Sequence, residues 1–464
     1  MKKSELVFIP APGIGHLVSA LEFAKRLIDH DDRHSITVLS MKFPFTPFAD
    51  EFTKSLVASH HGIQVIDLPP VDPPPPELLN SPENFVCAFI ESLIPHVRNT
   101  LTDMLSSSSR VSGLVLDFFC LSLIDVGNEL GVPSYMFLTS NSGFLGLMLH
   151  IPIRHNQKSA EFEESDAEVS LPGFWNPVPV SVLPGAVFDK DGGYSAYLKL
   201  AKRFRDTKGI IVNTFSELEL DSVKSLSDGE TPPVYMVGPV IDLKGQPNPS
   251  LDQAQREKIM HWLDDQPESS VVYLCFGSMG TFGAIQLREI ATGLERSGHR
   301  FLWSMRVPQP AKGPDDILPE GFSERIGGRG LICGWAPQME VLAHKAIKGF
   351  VSHCGWNSIL ESLWFGVPIA TWPIYAEQQM NAFRMVKEFG LAVEMKLDYR
   401  LGDLVMADEI EIAVRRLMDD SDELRKKVKE MGEMARQAII EGGSSYIAVG
   451  QLIEDILGSI SCDN

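Results

Sequence analysis

Hydrophobic residues in this chain fall into short runs, separated by longer stretches whose apolar positions repeat with helical spacing. The runs are rich in β-branched residues and are bounded by Gly, Pro or Asp, which is typical of buried parallel strands. Strands are therefore predicted at Leu6–Pro10, Ile36–Ser40, Gln64–Leu68, Gly113–Phe119, Pro133–Thr139, Gly209–Phe215, Val234–Val240, Val271–Phe276, Arg300–Met305, Gly330–Trp335, Gly349–His353, Val367–Trp372 and Leu391–Glu394.

Two successive strand–helix series predict the α/β fold class, with two doubly wound parallel sheets, one in each Rossmann-like domain. The first domain is predicted at residues 1–240 and the second at 255–443, joined by a linker at 241–254 that lacks periodicity. Ligands of such folds bind at the carboxyl ends of strands, which predicts a site in the cleft between the domains.

Two segments are predicted to be loops. The proline-dense run at 69–76 is expected to be extended on the surface, and the polar segment at 156–170 is expected to be mobile.

The composition excludes several classes of function. A formal net charge of −20 disfavours binding to nucleic acid and to anionic membrane surfaces. It also means that any phosphate site must be built from local donors. The six cysteines show no CxxC pair, and no apolar stretch reaches the length of a membrane span. We therefore expect a cytoplasmic protein in a reducing compartment.

The first candidate site lies where the first predicted strand meets a helix, in the sequence Pro12-Gly13-Ile14-Gly15-His16. Val18 replaces the third glycine of a dinucleotide fingerprint, so that motif is excluded. Asp117 ends a second buried strand, and a buried aspartate is costly unless it is paired. The two side chains form a His-Asp base if their strands are neighbours. The alternatives are a histidine packed under a loop and an aspartate that caps the next helix.

The second candidate site follows strands of the second domain. Gly277-Ser278 ends one strand, and His353-Cys354-Gly355 ends another before a helix that starts near Asn357. The N–H groups and dipole of such a helix start bind a diphosphate without any lysine. A capping box formed by Ser358 and Glu361 is the structural alternative.

That alternative explains neither Trp356 nor the pair Glu377-Gln378. A carboxylate beside an amide suits the vicinal hydroxyls of a hexose. Two D-x-D matches, Asp29–Asp31 and Asp420–Asp422, are better explained as helix caps than as metal ligands, so we expect no metal.

With these residues in hand, the chain resembles the plant family 1 UDP-dependent glycosyltransferases. Trp335–Gln378 matches their 44-residue signature at every position without a gap. Resemblance implies a GT-B fold in which the C-terminal helix, here within 444–464, packs back onto the first domain. Further similar segments are Trp262–Pro267, Cys275–Gly280, Phe45–Asp50 with Leu68–Pro70, and Lys208–Phe215. The last two resemble enzymes that act on flavonoid, phenylpropanoid and triterpenoid acceptors.

The resemblance also implies a role for each matching residue. His16 is the general base and Asp117 orients it, while Gly15, Phe118, Phe119 and Phe144 are expected beside the acceptor. Trp335 stacks on uracil, which Ala336 and Gln338 hold, and Glu361 takes the ribose hydroxyls. The diphosphate is assigned to Ser278, His353, Gly355, Asn357 and Ser358, and the sugar to Thr139, Trp356, Tyr375, Glu377 and Gln378.

The implied reaction is inverting transfer of glucose from UDP-glucose to a small apolar hydroxylated acceptor, with no other cofactor. The alternatives are UDP-xylose or UDP-galactose as donor, a non-catalytic nucleotide-sugar-binding protein and a nicotinamide-dependent oxidoreductase. Nothing in the sequence demands more than a monomer.

Overall fold

The computed structural model describes residues 3–43, 62–107, 110–245, 251–400, 402–420 and 422–459. The segment Phe45–Asp50, the middle of the predicted linker and Cys462 lie outside these residues.

Every predicted strand is present, and the α/β fold with two parallel sheets is confirmed. Within the described residues the first sheet has the order β3-β2-β1-β4-β5-β6-β7 and the second the order β10-β9-β8-β11-β12-β13. The strands are β1 Ser4–Ile9, β2 His34–Ser40, β3 Ile63–Asp67, β4 Val111–Asp117, β5 Ser134–Leu138, β6 Ile210–Val212, β7 Val234–Met236, β8 Val271–Cys275, β9 Arg300–Ser304, β10 Gly330–Cys333, β11 Ile347–Ser352, β12 Ile369–Thr371 and β13 Ala392–Val393.

Most of the strand-to-strand connections in the described residues contain a helix, as the right-handed crossovers of parallel sheets require. They are α1 Ile14–His30, α2 Pro82–Ser92, α3 Ile94–Ser106, α4 Ile124–Glu129, α5 Ser142–Lys158, α6 Gly193–Ala201, α7 Ser216–Lys224, α8 Gln253–Asp264, α9 Ala284–Ser297, α10 Phe322–Ile326, α11 Gln338–Ala343, α12 Trp356–Trp364, α13 Gln378–Phe383, α14 Ala407–Met418, α15 Asp422–Ala438 and α16 Ser444–Ser459. None of the helices in the described ranges is long and apolar enough to cross a membrane.

In each sheet the strand order reverses at one point. β1 lies between β2 and β4, and β8 lies between β9 and β11, all in parallel register. The loops that leave two adjacent strands at this point diverge to opposite sides of the sheet and open a crevice at their carboxyl ends. Each sheet thus provides one crevice of the kind in which doubly wound folds bind ligands.

The chain divides into two compact units. Unit 1 comprises residues 1–180, 185–242 and 435–464, and unit 2 comprises 181–184 and 243–434. The core of unit 1 is built on β1 and α1 with residues such as Phe8 and Phe23, and that of unit 2 on β8 and β9 with residues such as Leu274 and Trp303.

The C-terminal helix α16 is part of unit 1. Its apolar residues Val449, Leu452, Ile453 and Ile456 are completely or almost completely buried in the same core as β1 and α1. The Tyr235 hydroxyl donates a hydrogen bond to Asp455 on this helix.

The polar segment at 156–170, which was predicted to be a mobile loop, begins as helix and makes specific contacts. Helix α5 continues to Lys158, and Phe162 is only 1% exposed. The Arg154 guanidinium donates to the Asp166 carboxylate at 2.6 Å and to the Glu161 carbonyl at 2.7 Å. A buried ring and a paired charge therefore anchor this segment, although most of its other polar side chains are exposed.

Candidate active site

The His16 imidazole meets the Asp117 carboxylate at the carboxyl end of the first sheet. Strands β1 and β4 are parallel neighbours there, and Gly13 begins helix α1 so that His16 lies in its first turn. His16 Nδ1 is 2.8 Å from Asp117 Oδ2. The carboxylate is almost completely buried, whereas 28% of the histidine side chain is exposed.

Asp117 also caps a short 3₁₀ helix, Phe118–Leu123. Its Oδ1 accepts a hydrogen bond from the Phe119 N–H at 3.0 Å. Asp117 therefore both pairs with His16, through Oδ2, and caps the 3₁₀ helix, through Oδ1. The cap fixes the carboxylate, and the carboxylate holds the proton on Nδ1, which places the imidazole lone pair on Nε2.

The Thr139 hydroxyl lies on the same side of the imidazole. It follows β5, and its Oγ1 is 3.1 Å from His16 Nδ1. The sequence assigned Thr139 to the sugar of the donor. The structure places it beside the histidine, where its hydroxyl shares the Nδ1 proton with Asp117.

Aromatic rings surround the imidazole. The ring centroids of Phe118 and Phe119 lie 5.9 and 5.8 Å from that of His16. Phe144 packs edge-on against Phe118 at 5.6 Å and against Tyr197, a residue that the sequence did not single out, at 5.8 Å. Phe118 and Phe144 are buried and form a wall, whereas Phe119 is partly exposed. The Gly15 carbonyl accepts from Ser19 Oγ within α1.

In unit 2 a tight turn connects β11 to helix α12. Cys354 adopts a positive φ of 63°, and Gly355 precedes the helix without any side-chain cap. Because the helix begins at Trp356, Ser358 lies inside its first turn, and the capping-box alternative is wrong. Gly355 has no side chain with which to cap α12, and the backbone N–H groups at the start of a helix are of the kind that bind an anionic ligand.

His353 fills the crevice beside this helix start. A Cβ atom added at Gly277 or at Gly355 would lie 2.5 Å from His353 Nε2, so only glycine fits at either position. The ring is 6% exposed, and Nδ1 has no hydrogen-bond partner among the described residues. Burial, aided by the charge of Arg306, lowers the pKa of His353 to about 4. The imidazole is therefore neutral at pH 7 and donates a single N–H.

Gln338 connects the signature's start to α12. Its Nε2 donates to Ser358 Oγ at 2.9 Å and to Glu361 Oε2 at 2.6 Å. Gln338 begins α11, three residues after the partly buried Trp335, and Ala336 is buried between them. Gln338, one of the three residues predicted for uracil, thus contacts the residues predicted for ribose and phosphate, Glu361 and Ser358.

The residues assigned to the sugar lie in the loop after β12. Gln378 is 2% exposed, and its Oε1 accepts from the N–H groups of Ile374 and Tyr375 at 3.0 and 3.1 Å. The amide NH₂ is then the group that can donate to a ligand. Ala376 adopts a positive φ of 53°, the kind of backbone strain found at functional loops.

Asn381 connects this loop to the turn before α12, and the sequence did not reveal it. Its Nδ2 donates to the Cys354 carbonyl at 3.0 Å and lies 3.3 Å from Glu377 Oε1. The side chain is completely buried. Helix α13 contains three amide side chains in six residues, so nothing in its sequence marked Asn381.

The remaining donor residues differ in exposure. Trp356 is 3% exposed and Asn357 is partly exposed, whereas Tyr375 and Ser278, on the loops after β12 and β8, are exposed. In the described part of the chain no group of three or more His, Cys, Asp or Glu side chains is placed to hold a metal ion. Asp31, from one D-x-D match, ends α1 and pairs with Arg33.

Two parallel-sheet Rossmann-like domains, with a histidine–carboxylate pair at one switch point and a helix start at the other, are the architecture of a GT-B glycosyltransferase. Residues 195–431 match the family model described as UDP-glucoronosyl and UDP-glucosyl transferase. The chain belongs to this family, among its plant family 1 glycosyltransferases.

Curated relatives match along the whole chain. UDP-glycosyltransferase 71K1 of Malus domestica is 57% identical over 99% of this chain and 100% of its own length. Flavonol 3-O-glucosyltransferase UGT71C4 of Arabidopsis thaliana is 52% identical over 98% of each chain.

Solved structures also match along nearly the whole chain. Medicago truncatula UGT71G1 in complex with UDP-glucose shares 60% identity and superposes with a TM-score of 0.93, covering 98% of both chains. Phytolacca americana UGT2 in complex with UDP-2fluoro-glucose and pterostilbene shares 33% identity, with a TM-score of 0.85 over 98% of this chain and 99% of that one. The chain is thus a UDP-glycosyltransferase.

Proposed function

We propose that the protein transfers glucose from UDP-glucose to a hydroxyl group of a small apolar plant product, with inversion at the anomeric carbon. A flavonoid, a phenylpropanoid or a triterpenoid is the expected acceptor. The similar Medicago protein binds UDP-glucose, one relative is named a flavonol 3-O-glucosyltransferase, and the Phytolacca complex contains pterostilbene. The observation that carries the proposal is the 2.8 Å contact between His16 Nδ1 and Asp117 Oδ2.

The base step follows from that contact. With the proton held on Nδ1 by the carboxylate, Nε2 of His16 accepts the proton of the acceptor hydroxyl as its oxygen attacks the anomeric carbon. The resulting imidazolium is stabilised by the buried Asp117 charge. A positioned base of this kind contributes a factor of about 10²–10⁴ to the rate.

The leaving group is UDP, which departs from the face opposite the attacking oxygen. Negative charge grows on the diphosphate as the bond breaks, and fixed donors stabilise it most in the transition state. The start of α12 supplies backbone N–H groups, and neutral His353 supplies one more. These donors avoid the need for a lysine or a metal.

The donor sugar is assigned to the loop after β12. The amide NH₂ of Gln378 donates to one hydroxyl of the hexose, and the Glu377 carboxylate accepts from another. The backbone contacts of Gln378 Oε1 keep this amide in one orientation, which favours a single sugar configuration. Glucose is the sugar that this arrangement supports, given the UDP-glucose complex of the similar Medicago protein.

The acceptor binds among aromatic side chains. Phe119 is partly exposed beside His16, and the buried rings of Phe118 and Phe144 stand behind it. Such a surface recognises a planar or otherwise apolar body and leaves one hydroxyl for the base.

The test is product analysis with UDP-glucose and a panel of flavonoid, phenylpropanoid and triterpenoid acceptors. Mass spectrometry should detect a hexoside, and NMR should assign it the β configuration. His16→Ala should abolish transfer while calorimetry still detects UDP binding. His96→Ala, a partly exposed histidine on α3, is the control and should match wild type.

Two results would contradict the proposal. If His16→Ala retains turnover, His16 is not the general base. UDP binding by the wild-type protein without product from any acceptor favours a non-catalytic binding protein. Competition with UDP-xylose and UDP-galactose measures the donor preference directly.

A further inference from the structure

Arg306 lies in the donor crevice of unit 2, although neither the sequence nor the signature assigns it a role. It follows β9, the neighbour of β8 and β10, at their common carboxyl edge. One Nη donates to the Gly277 carbonyl at 3.0 Å, and the guanidinium carbon lies 5.8 Å from the Trp335 ring centroid. Arg306 thus bonds to the neighbour of Ser278, which is predicted for the diphosphate, and lies near Trp335, which is predicted for uracil.

The charge of Arg306 is only partly hydrated. The side chain is partly buried, and burial lowers its pKa, although an arginine remains protonated at neutral pH. The groups that raise this pKa are Cys275 and Tyr375. Both are neutral at pH 7, because burial raises the pKa of each. They provide no counter-charge.

No aspartate or glutamate pairs with Arg306 in the described part of the chain, although acidic residues outnumber basic ones by 61 to 41. A partly desolvated cation that has one carbonyl as its hydrogen-bond partner is costly unless an anion joins it. The planar fork of a guanidinium matches phosphate oxygens well. An anionic ligand in the donor crevice satisfies this requirement.

We propose that Arg306 is a further donor-binding residue whose guanidinium pairs with the diphosphate of the UDP-sugar. It rests on the proposed function, since the site is taken as the donor site. The same guanidinium lies near the Trp335 ring, so it connects recognition of the base to recognition of the phosphates.

The experiment measures dissociation constants for uridine and for UDP by calorimetry in Arg306→Gln and Arg306→Lys. Loss of a charge-assisted bond should weaken UDP binding by about 10- to 100-fold in Arg306→Gln. Uridine, which lacks phosphates, should change by less than about threefold. Arg306→Lys keeps the charge and should fall between wild type and Arg306→Gln for UDP.

Arg300→Gln is the matched control. Arg300 begins the same strand at its opposite end, where its Nε donates to Gln266 at 3.1 Å. This variant should bind UDP and uridine like wild type. Thermal melting of all variants shows whether each one is folded. The ratio of UDP to uridine affinity is a second control, because both constants are measured on the same protein.

Equal losses for uridine and UDP in Arg306→Gln would overturn the proposal, since they mean that Arg306 only supports the Trp335 ring. Unchanged UDP affinity would overturn it as well. Failure of the proposed function looks different: the wild-type protein itself would then bind no UDP or form no glucoside.

Discussion

Asp117 divides its two carboxylate oxygens between His16 Nδ1, at 2.8 Å, and the Phe119 N–H, at 3.0 Å. The second bond ties the carboxylate to the start of a 3₁₀ helix, so its position does not depend on the histidine. The histidine is therefore oriented by a group that the backbone already holds. This arrangement supports a base that keeps its proton on Nδ1 while Nε2 gains and loses one.

Asp117→Asn should separate orientation from capping. The asparagine carbonyl can still accept from Phe119 N–H, so the fold should persist. Its NH₂ group then faces Nδ1 and favours the tautomer with the proton on Nε2, which cannot act as the base. We expect kcat/KM to fall by about 10²–10⁴-fold while the Kd for UDP stays unchanged.

Steady-state kinetics and calorimetry on Asp117→Asn and Asp117→Ala test this expectation. The alanine variant loses the cap as well and should also melt at a lower temperature. Near-wild-type turnover in Asp117→Asn would mean that the carboxylate serves only as a cap.

The strands were predictable because their signal is local. A buried parallel strand requires a short apolar run bounded by residues that end it, and runs such as Val271–Phe276 meet this requirement without reference to the rest of the chain. The positions of His16 and Asp117 were predictable for a related reason. Asp117 ends β4 and His16 begins the helix that follows β1, and the carboxyl ends of neighbouring parallel strands meet at one edge.

The contacts that the sequence could not reveal are those that depend on the direction of a side chain. The spacing of Ser358 and Glu361 suggested a capping box, but the helix begins at Trp356 and both side chains meet Gln338 instead. The contacts of Arg306 and Asn381 are also invisible in sequence, because each joins segments far apart in the chain. Local patterns contain no information on such pairs.

Gln338→Glu should place a second carboxylate beside Glu361. The native amide nitrogen is 2.6 Å from Glu361 Oε2, and two ionised carboxylates at that distance repel each other. We expect UDP affinity to fall by about tenfold or more at pH 8. One of the two pKa values is raised by the repulsion, so lowering the pH protonates that group and should restore part of the affinity.

Gln338→Ala is the control for this effect. It loses the same amide without adding charge, so its UDP affinity should show no such recovery as the pH falls. Calorimetric titration of both variants between pH 8 and pH 5.5 makes the comparison. Parallel pH profiles would exclude a direct contact between position 338 and Glu361.

His34 should make the protein less stable in mild acid. His34 is completely buried at the start of β2, and this burial lowers its pKa. The positive charge of Arg33 lowers the pKa further, whereas the negative charges of Asp31 and Glu454 raise it. The unfolded chain, in which the histidine pKa is about 6.5, then binds the proton first. The contribution of His34 is complete above that pH and is lost as the pH falls below it.

Urea denaturation at pH 7.5 and pH 5.5 measures this loss. His34→Leu should show a smaller drop in unfolding free energy than wild type, although some remains because the pKa values of His150 and His353 are also lowered. His261→Leu, at an exposed position of α8, is the control. An identical drop in wild type and His34→Leu would contradict the prediction.

Gly277→Ala should damage the donor site through its contact with His353. Gly277 has a φ of +73°, and a Cβ atom there would lie 2.5 Å from His353 Nε2. A left-handed backbone alone makes alanine unfavourable by about 1–3 kcal/mol. The clash adds a second effect, since a ring that is only 6% exposed has little room to move. UDP affinity should therefore fall together with stability.

Gly298→Ala separates these two effects. Gly298 ends α9 with a φ of +77°, and a Cβ atom there meets nothing within 4 Å. We expect a similar backbone penalty in its unfolding free energy and an unchanged Kd for UDP. Comparing the two variants by denaturation and calorimetry isolates the part of the loss that comes from His353. Equal UDP affinities in both variants would mean that the ring can shift without disturbing the diphosphate site.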